Sequence, residues 1–409
     1  MENVFDTLTA RGFIEQCTHE EKARELLGKE KVTFYIGFDP TADSLHVGHY
    51  LTAMAMSHMQ KAGHRPILLM GGGTGMIGDP TDKTEMRRIM TREEIDYNIS
   101  CFKKQLSRFI DVSDGNAVVV NNADWLLELK YLPFIREYGI HFSVNKMLTA
   151  DSYRTRFERG LSFFEFNYQL LQAYDFLELY RKHGCKLQMG GRDQWSNIIA
   201  GIELIRRVED EEVQGVTFSL LAKSDGTKMG KSQKGAIWLD GEKTSPYEFF
   251  QYWRNVDDQD VIRFMKLLTY LSLDEIKEYE TLTGSALNKA KEVLAFEITK
   301  NVHGQEEAEK ALDAAKTLFS GTGGGEGIPT AVLTTQELAG GINIIDLLMK
   351  TSLVKSRSDA RRLIEQNSIK VNGEAVSAFD KAFSEADFAH GAIMVQKGKK
   401  GYHRVKIEG

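Results

Sequence analysis

Three short apolar runs, Thr33–Phe38, Ile67–Met70 and Ala117–Val120, recur through the first 244 residues with helical patterns between them. Strands that alternate with helices leave few topologies open, and the favoured one is a mostly parallel, doubly wound α/β sheet of Rossmann-like type. The second run starts behind Pro66 and ends in Gly71–Gly78, GGGTGMIG, with five glycines in eight residues. That pattern reads as a buried strand closing in a tight turn. Further on, Ser245-Pro246-Tyr247-Glu248 combines an N-cap Ser, Pro at the first helical position and Glu three residues after the cap. The helical period then continues, with Phe249, Phe250 and Trp253 on one face and a second capping box at Ser272 and Glu275. Gly321–Gly327, GTGGGEG, has no strand before it and reads as a flexible linker. Two short helical patterns and alternating strands around an Asn372-Gly373 hairpin turn complete the chain. The expected domains are 1–244 (Rossmann-like), 245–320 (α-helical), 321–341 (linker) and 342–409 (small α+β).

Composition narrows the function. At 42% apolar and 27% charged residues, the chain is neither disordered nor collagenous. No apolar run approaches the roughly 20 residues needed to cross a bilayer, and Met1 to Asp6 lacks the basic-then-apolar order of a signal peptide. Cys17, Cys101 and Cys185 are scattered without CxxC spacing, which points to a cytoplasmic protein with free thiols, no disulfide scaffold and no structural zinc. A net charge of −6 by itself disfavours a nucleic-acid partner. The charge is unevenly placed, however. Residues 342–409 hold 12 Lys+Arg against 8 Asp+Glu, and the other 341 residues hold 40 against 50. A basic appendage on an acidic body is compatible with RNA.

Two motifs carry chemistry. After the Thr33–Phe38 run, His46 and His49 stand three apart and share one face of a first helical turn, where free N–H groups attract anions. Gly48 between them leaves room for a planar ligand such as a nucleoside triphosphate. The HxxH spacing alone also describes two surface or capping histidines; a zinc site lacks a third ligand nearby. In Lys228-Met229-Gly230-Lys231-Ser232, two lysines three apart on a Gly-flanked loop suit a polyphosphate, or form a merely solvated basic loop. The spacing is not that of a Walker A loop.

Together, HVGH after a strand and KMGKS about 180 residues later resemble the class I aminoacyl-tRNA synthetases. Residues 35–49 (YIGFDPTADSLHVGH), 71–80 (GGGTGMIGDP), 141–147 (HFSVNKM), 163–176 (FFEFNYQLLQAYDF), 187–198 (LQMGGRDQWSNI) and 225–232 (DGTKMGKS) resemble the bacterial-type tyrosyl-tRNA synthetases, along nearly the whole chain. The resemblance implies that Tyr35 and Asp175 bind a phenol oxygen, that Tyr168, Gln172 and Asp79 hold an α-ammonium, and that Gln188 belongs to the same tyrosine pocket. Tyr168, Gln172 and Asp175 follow an i, i+4, i+7 spacing, so they share a helix face. It further implies that Asp39 and Asp193 bind the substrate amino group or ribose hydroxyls. Gly37 and Gly191 would allow close approach of the adenylate, Gln194 would reach the reacting carboxylate or α-phosphate, and Thr41, His46 and His49 would stabilise phosphates and ribose. Lys83 and Arg87, with Lys228 and Lys231, would reach the leaving pyrophosphate, although Lys83 and Arg87 also fit a solvated helix face.

The implied substrates are L-tyrosine, ATP with its own Mg²⁺ and tRNA(Tyr), with no metal held by the protein. The implied assembly is a homodimer away from membranes. In the tail, SRSDARRLIEQNSIKVNGE resembles an S4-type RNA-binding module. Lys355, Arg357, Arg361 and Arg362 lie on and before a short helix, and Lys397, Lys399, Lys400 and Arg404 lie in a stretch with five basic residues in ten. The sequence departs from the family pattern at Val47, Gly230, Ile36, Arg192 and Ser196. The readings that remain open are a tryptophan-specific relative, an RNA-binding protein on an inactive synthetase scaffold, and a small-molecule nucleotidyltransferase. The last would leave the helical region and tail without a role.

Overall fold

The computed structural model describes residues 3–81, 89–227, 229–232, 235–320, 328–351, 353–388, 391–398 and 401–408. They fall into two compact units. The first comprises residues up to 230 with 237–240 and 257–281, and the second comprises 231–236, 241–256 and 282–409.

The first unit is built on a six-stranded sheet: β1 (Ile14–Cys17), β2 (Thr33–Phe38), β3 (Arg65–Met70), β4 (Val118–Asn121), β5 (Cys185–Gly191) and β6 (Gln214–Phe218). The strand order is β1-β6-β5-β2-β3-β4, parallel throughout except for the antiparallel edge strand β1. Chain order reverses between β2 and β5, and the crevice beyond the carboxyl ends of such a pair is where doubly wound sheets bind ligands. β3 and β6 are buried almost end to end, as strands covered on both faces must be. The three apolar runs are β2, β3 and β4. β5 and β6 gave no continuous run, because Gln188, Gly190 and Gly191 interrupt one and Gly215 and Thr217 the other.

The Gly-rich turn follows β3 because other groups occupy the space a side chain would need. A Cβ on Gly71 would lie 2.1 Å from Asp39 Oδ1, and one on Gly72 would lie 2.2 Å from Asn121 Oδ1. Two helices then frame the crevice. One, Val47–Lys61, starts at His46; the other, Tyr168–His183, ends where Gly184 adopts φ +60.

The helices Val261–Leu268 and Leu273–Glu280 correct the expected 245–320 domain, for they belong to the first unit. The Arg11 guanidinium donates to the carbonyls of Lys266 (2.9 Å) and Leu271 (2.6 Å), and the Tyr50 hydroxyl donates to that of Leu268 (2.9 Å). Periodicity identifies a helix but not the body it packs on. The Ser272–Glu275 capping box is present, with Glu275 N donating to Ser272 Oγ at 3.1 Å.

The second unit contains β7 (Lys231–Ser232) paired with β8 (Gly235–Ala236). Its first helices are Pro246–Arg254, Leu287–His303 and Gln305–Ser320. Ser245 caps the first, accepting from Glu248 N at 3.3 Å, and Trp253 is fully buried. The C-terminal part holds β9 (Thr330–Leu333), β10 (Ile342–Asn343), β11 (Ile369–Val371), β12 (Glu374–Ala375), β13 (Ala382–Phe383), β14 (Ala392–Lys397) and β15 (Gly401–Ile407). Five of these form a sheet in the order β12-β11-β14-β15-β9, with β9 parallel to β15. Residues 330–341 lay inside the expected linker but here carry β9 and the helix Thr335–Leu338. Four residues of strand are too few to register against the glycines before them. Asn372 (φ +50) and Gly373 (φ +87) make the β11–β12 turn, as expected of an Asn-Gly hairpin. Among the described residues no helix is long and apolar enough to cross a membrane.

Candidate active site

A cleft of about 1010 Å³ opens at the carboxyl ends of β2 and β5 in the first unit. Its deep end is polar. Asp175, 1% exposed, receives Trp125 Nε1 on Oδ1 (2.8 Å) and Asn122 Nδ2 on Oδ2 (2.9 Å). Burial nevertheless outweighs both donors and pushes its carboxyl up to about 8. Tyr35 and Gln188 are register partners on β2 and β5. The Tyr35 hydroxyl and Gln188 Oε1 are buried and have no hydrogen-bond partner among the described residues. Burial, with the nearby Asp175 charge, holds the Tyr35 phenol well above the ordinary tyrosine value. Unpaired buried polar atoms are costly, so groups of this kind facing a cleft suit a ligand that pairs with them. The sequence reading missed Asn122 and Trp125; the one signal for them was their place at the carboxyl end of a parallel strand.

Further out, Asp39 pairs with Tyr168, and Asp79 joins a chain of two glutamines. Tyr168 Oη donates to Asp39 Oδ2 (2.8 Å), and Gln194 Nε2 donates to Asp79 Oδ2 (2.7 Å). Gln172 Nε2 donates to Gln194 Oε1 (3.1 Å), while Asn197 Nδ2 donates to Gln172 Oε1 (3.0 Å). The helix face expected from the i, i+4, i+7 spacing therefore does carry Tyr168, Gln172 and Asp175 into one cleft.

The outer end brings together Gly37, Thr41, His46, Gly48, His49, Gly191 and Asp193. His46 Nδ1 accepts from Gly48 N (3.0 Å), and His49 Nδ1 accepts from His46 N (3.2 Å), an N-terminal cap made of two histidines. Their rings stack with centroids 4.0 Å apart. A neutral imidazole whose Nδ1 accepts carries its proton on Nε2, so each ring is a donor at its far nitrogen. Capping and a donor role coexist here, which the sequence had left as alternatives. A Cβ on Gly48 would meet His46 Cε1 at 2.8 Å, so the missing side chain makes room for the histidine ring, and Gly48 itself lines the cleft. Gly37 does leave space, since the nearest atom to a Cβ would be Leu69 Cδ2 at 3.9 Å.

Lys83, Arg87 and Lys228 lie outside the described residues, and Lys231 is described through its backbone in β7. Gly230 adopts φ +95, and a Cβ there would sit 3.1 Å from Val47 Cγ2, so two of the departures from the family pattern touch one another. Arg192 pairs with Glu15 at 3.1 Å, is two-thirds exposed and does not line the cleft. The Ser196 carbonyl accepts from Gln169 Nε2 at 3.1 Å, and Ile36 is a buried cleft residue.

In the tail, Ser356 caps the Arg357–Glu365 helix, which carries exposed Arg357, Arg361 and Arg362 with exposed Lys355 just before it. Arg357 pairs with Asp346, and Arg362 pairs with Asp359 at 2.6 Å. Exposed pairs of this kind are weak and leave the guanidinium available to phosphate. Lys397 Nζ donates to the Leu353 carbonyl at 2.9 Å, and half-buried Arg404 lies on β15; Lys399 and Lys400 fall outside the described residues.

Residues 27–320 match the family model for class I tRNA synthetases (W and Y), and residues 322–405 match that for a tyrosine–tRNA ligase SYY-like C-terminal domain. The chain is 59% identical over 407 residues to a tyrosine–tRNA ligase of Acetivibrio thermocellus and 57% identical over 409 residues to one of Clostridium botulinum, each alignment covering 100% of both chains. Its fold is similar to a C-terminally truncated mitochondrial tyrosyl-tRNA synthetase of Aspergillus nidulans (TM-score 0.70, 28% identity, 78% of this chain and 95% of that one). It also shares the fold of a tyrosyl-tRNA synthetase of Archaeoglobus fulgidus complexed with L-tyrosine (TM-score 0.58, 20% identity, 76% and 99%).

Proposed function

The chain belongs to the class I tRNA synthetases, among the tyrosine–tRNA ligases, and from that premise we propose how its residues share the work. The enzyme joins L-tyrosine to ATP, releasing pyrophosphate, and passes the tyrosyl group to tRNA. The assignment of the pocket rests above all on Asp175, a buried carboxylate facing the cleft beside the unpartnered Tyr35 hydroxyl. A phenol satisfies both groups; a phenylalanine ring would leave the Tyr35 hydroxyl unpaired and give Asp175 no donor beyond Trp125 and Asn122. Asp79, Tyr168 and Gln172, with Asp39, receive the α-ammonium, and Gln188 completes the tyrosine side.

The nucleophile is tyrosine's own carboxylate, ionised at neutral pH, so no general base is needed. One of its oxygens bonds to the α-phosphorus as the bond to the pyrophosphate oxygen breaks. Catalysis is then positioning together with stabilisation of charge on the phosphates. His46, His49 and Thr41 supply donors there, Gln194 reaches the reacting carboxylate or α-phosphate, and Gly37, Gly191 and Asp193 accommodate the nucleoside. Lys83, Arg87, Lys228 and Lys231 receive the departing pyrophosphate. Mg²⁺ arrives with ATP as part of the substrate. In the second step, a ribose hydroxyl at the 3′ end of tRNA(Tyr) attacks the tyrosyl carbonyl carbon of the adenylate, the ester forms as the bond to the phosphate oxygen breaks, AMP leaves and the hydroxyl proton passes to solvent. ATP–pyrophosphate exchange with each amino acid in turn tests this reading: exchange driven by tyrosine is expected, and exchange driven by tryptophan or by none refutes it.

We assign the tail basic residues to tRNA phosphates, in a cytoplasmic enzyme. Lys355→Glu with Arg361→Glu is expected to raise the KM for tRNA about tenfold, more steeply at low salt, with exchange unchanged within twofold. Equal loss of both activities would exclude the assignment. A homodimer is supported by the first unit, where Tyr131, Leu132, Ile140, Val144, Phe157 and Phe163 are each more than half exposed. Next to Phe163, the buried Arg156–Glu165 pair (2.9 Å) and the Ser162 cap fix the backbone that presents it. Phe163→Asp should weaken dimerisation by about 30-fold or more in sedimentation equilibrium. A wild type that is monomeric at micromolar concentration would remove the dimer.

A further inference from the structure

We propose that Thr74 and Asn122 are positioning residues that tie together the two carboxylates at opposite ends of the tyrosine site, so that selection of the phenol depends on a hydroxyl at the other end. This rests on the assignment of the cleft to tyrosine.

Every proton in the link has a fixed direction. Asn122 Oδ1 accepts from Gly73 N at 2.7 Å, which turns Nδ2 the other way. The two hydrogens of Nδ2 go to Asp175 Oδ2 (2.9 Å) and Thr74 Oγ1 (2.9 Å). Because Thr74 Oγ1 accepts there, its single proton goes to Asp39 Oδ1 at 2.8 Å. The other oxygen of Asp39 takes the Tyr168 hydroxyl (2.8 Å), and Tyr168 lies on the helix that carries Asp175. The result is a closed frame: Asp39, Thr74, Asn122, Asp175 and the helix back to Tyr168. Its parts come from the end of β2, the Gly-rich turn, the residue after β4 and the helix Tyr168–His183. Asn122 is 0%, Asp175 1% and Thr74 3% exposed, so water cannot replace a lost partner cheaply.

The frame holds the phenol-reading carboxylate and the ammonium-reading side at one separation, matched to the length of the amino acid. Removing the Thr74 hydroxyl strips Asp39 of a donor and leaves an Asn122 N–H without an acceptor. Asn122 is then held by Gly73 N alone at its far end, so its bond to Asp175 Oδ2 loosens and leaves Trp125 Nε1 as the only firmly held donor on that carboxyl. A change near the ammonium end thereby relaxes the reading of the phenol.

The test is ATP–pyrophosphate exchange with Thr74→Val, which keeps shape and loses the hydroxyl, and Thr74→Ser, which keeps the hydroxyl. Tyrosine, phenylalanine and ATP are each varied. For T74V the tyrosine KM should rise roughly 10–100-fold. Its tyrosine-over-phenylalanine ratio in kcat/KM should fall at least tenfold and its KM for ATP stay within threefold. T74S should stay within threefold on all three. The proposal fails if T74S is as impaired as T74V, or if T74V weakens tyrosine without changing the tyrosine-to-phenylalanine ratio. If T74V does not fold, Thr74→Cys, with its weak S–H donor, is read by the same ratio and should fall between wild type and full loss. Wild-type exchange separates the two levels: without tyrosine-driven exchange in the wild type, the assignment of the cleft fails before the variants are read.

Discussion

Asp175→Asn is expected to lower kcat/KM for tyrosine by about 10³-fold or more in pyrophosphate exchange, with the KM for ATP within threefold. The carboxylate has two N–H donors already fixed on it, Trp125 Nε1 and Asn122 Nδ2. An amide offers one oxygen in place of two, so one donor must face an NH₂ group, and the phenol proton loses its charged acceptor. Each charged hydrogen bond lost in a buried site costs about 1.5–3 kcal/mol, and two together give that range. A site built to bind a hydroxyl rejects the analogue without it by about 10⁴–10⁵-fold, the known magnitude for tyrosine against phenylalanine in this enzyme family. D175N should lose most of that ratio. A variant that keeps wild-type kcat/KM for tyrosine would remove Asp175 from the pocket.

The same carboxyl gives a pH signature. Burial pushes that carboxyl up to about 8. Accepting the phenol proton requires the ionised form, so below that pH tyrosine binding must expel a proton. Tyrosine affinity should therefore rise with pH from about 6 to about 8 and then level, a slope D175N lacks. Folding stability runs the opposite way. The unfolded chain has already lost this proton above about pH 4, and the fold retains it until about 8. The contribution is thus fully present below about 4 and is lost as pH rises through 8. Tyrosine affinity that is flat or falling over this range would show that the protonated carboxyl, as a donor, reads the phenol.

The second large effect concerns His46. His46→Ala should reduce the rate of tyrosyl-adenylate formation by about 10²–10³-fold, while the tyrosine KM changes less than threefold. One preorganised donor to developing phosphate charge is worth about that much, and the tyrosine contacts lie at the other end of the cleft. The histidine also caps its helix through Gly48 N, worth about 1 kcal/mol. His46→Ser keeps a capping oxygen without the Nε2 donor, so it should recover thermal stability but not rate. Recovery of rate by Ser would assign His46 to capping alone. Burst-phase adenylate formation and a thermal melt together separate the outcomes.

The fold class, the main strands, the Ser245 cap, the Ser272–Glu275 capping box and the Asn372-Gly373 turn were legible in the sequence because each is written in neighbouring residues. Apolar runs, a Ser three before a Glu, and a residue pair with positive φ are local signals. So is the face shared by Tyr168, Gln172 and Asp175, which follows from the pitch of a helix. The resemblance to the tyrosyl-tRNA synthetases added names for residues such as Asp175, whose place in an apolar stretch has no local explanation.

Only the tertiary structure decided which groups those residues meet. Asp175 finds Asn122 across 53 residues of chain, Asp39 finds Thr74 across 35, and Tyr168 reaches Asp39 across 129. It also assigned 257–281 to the first unit, drew 330–333 into the C-terminal sheet, and gave the space at Gly48 to a histidine ring. Local propensity acts over a helical turn or a strand pair, whereas packing and hydrogen-bond geometry act between segments that the sequence keeps apart. The sequence by itself therefore determined the elements and the chemistry each carries, and the fold determined the separations at which that chemistry is held.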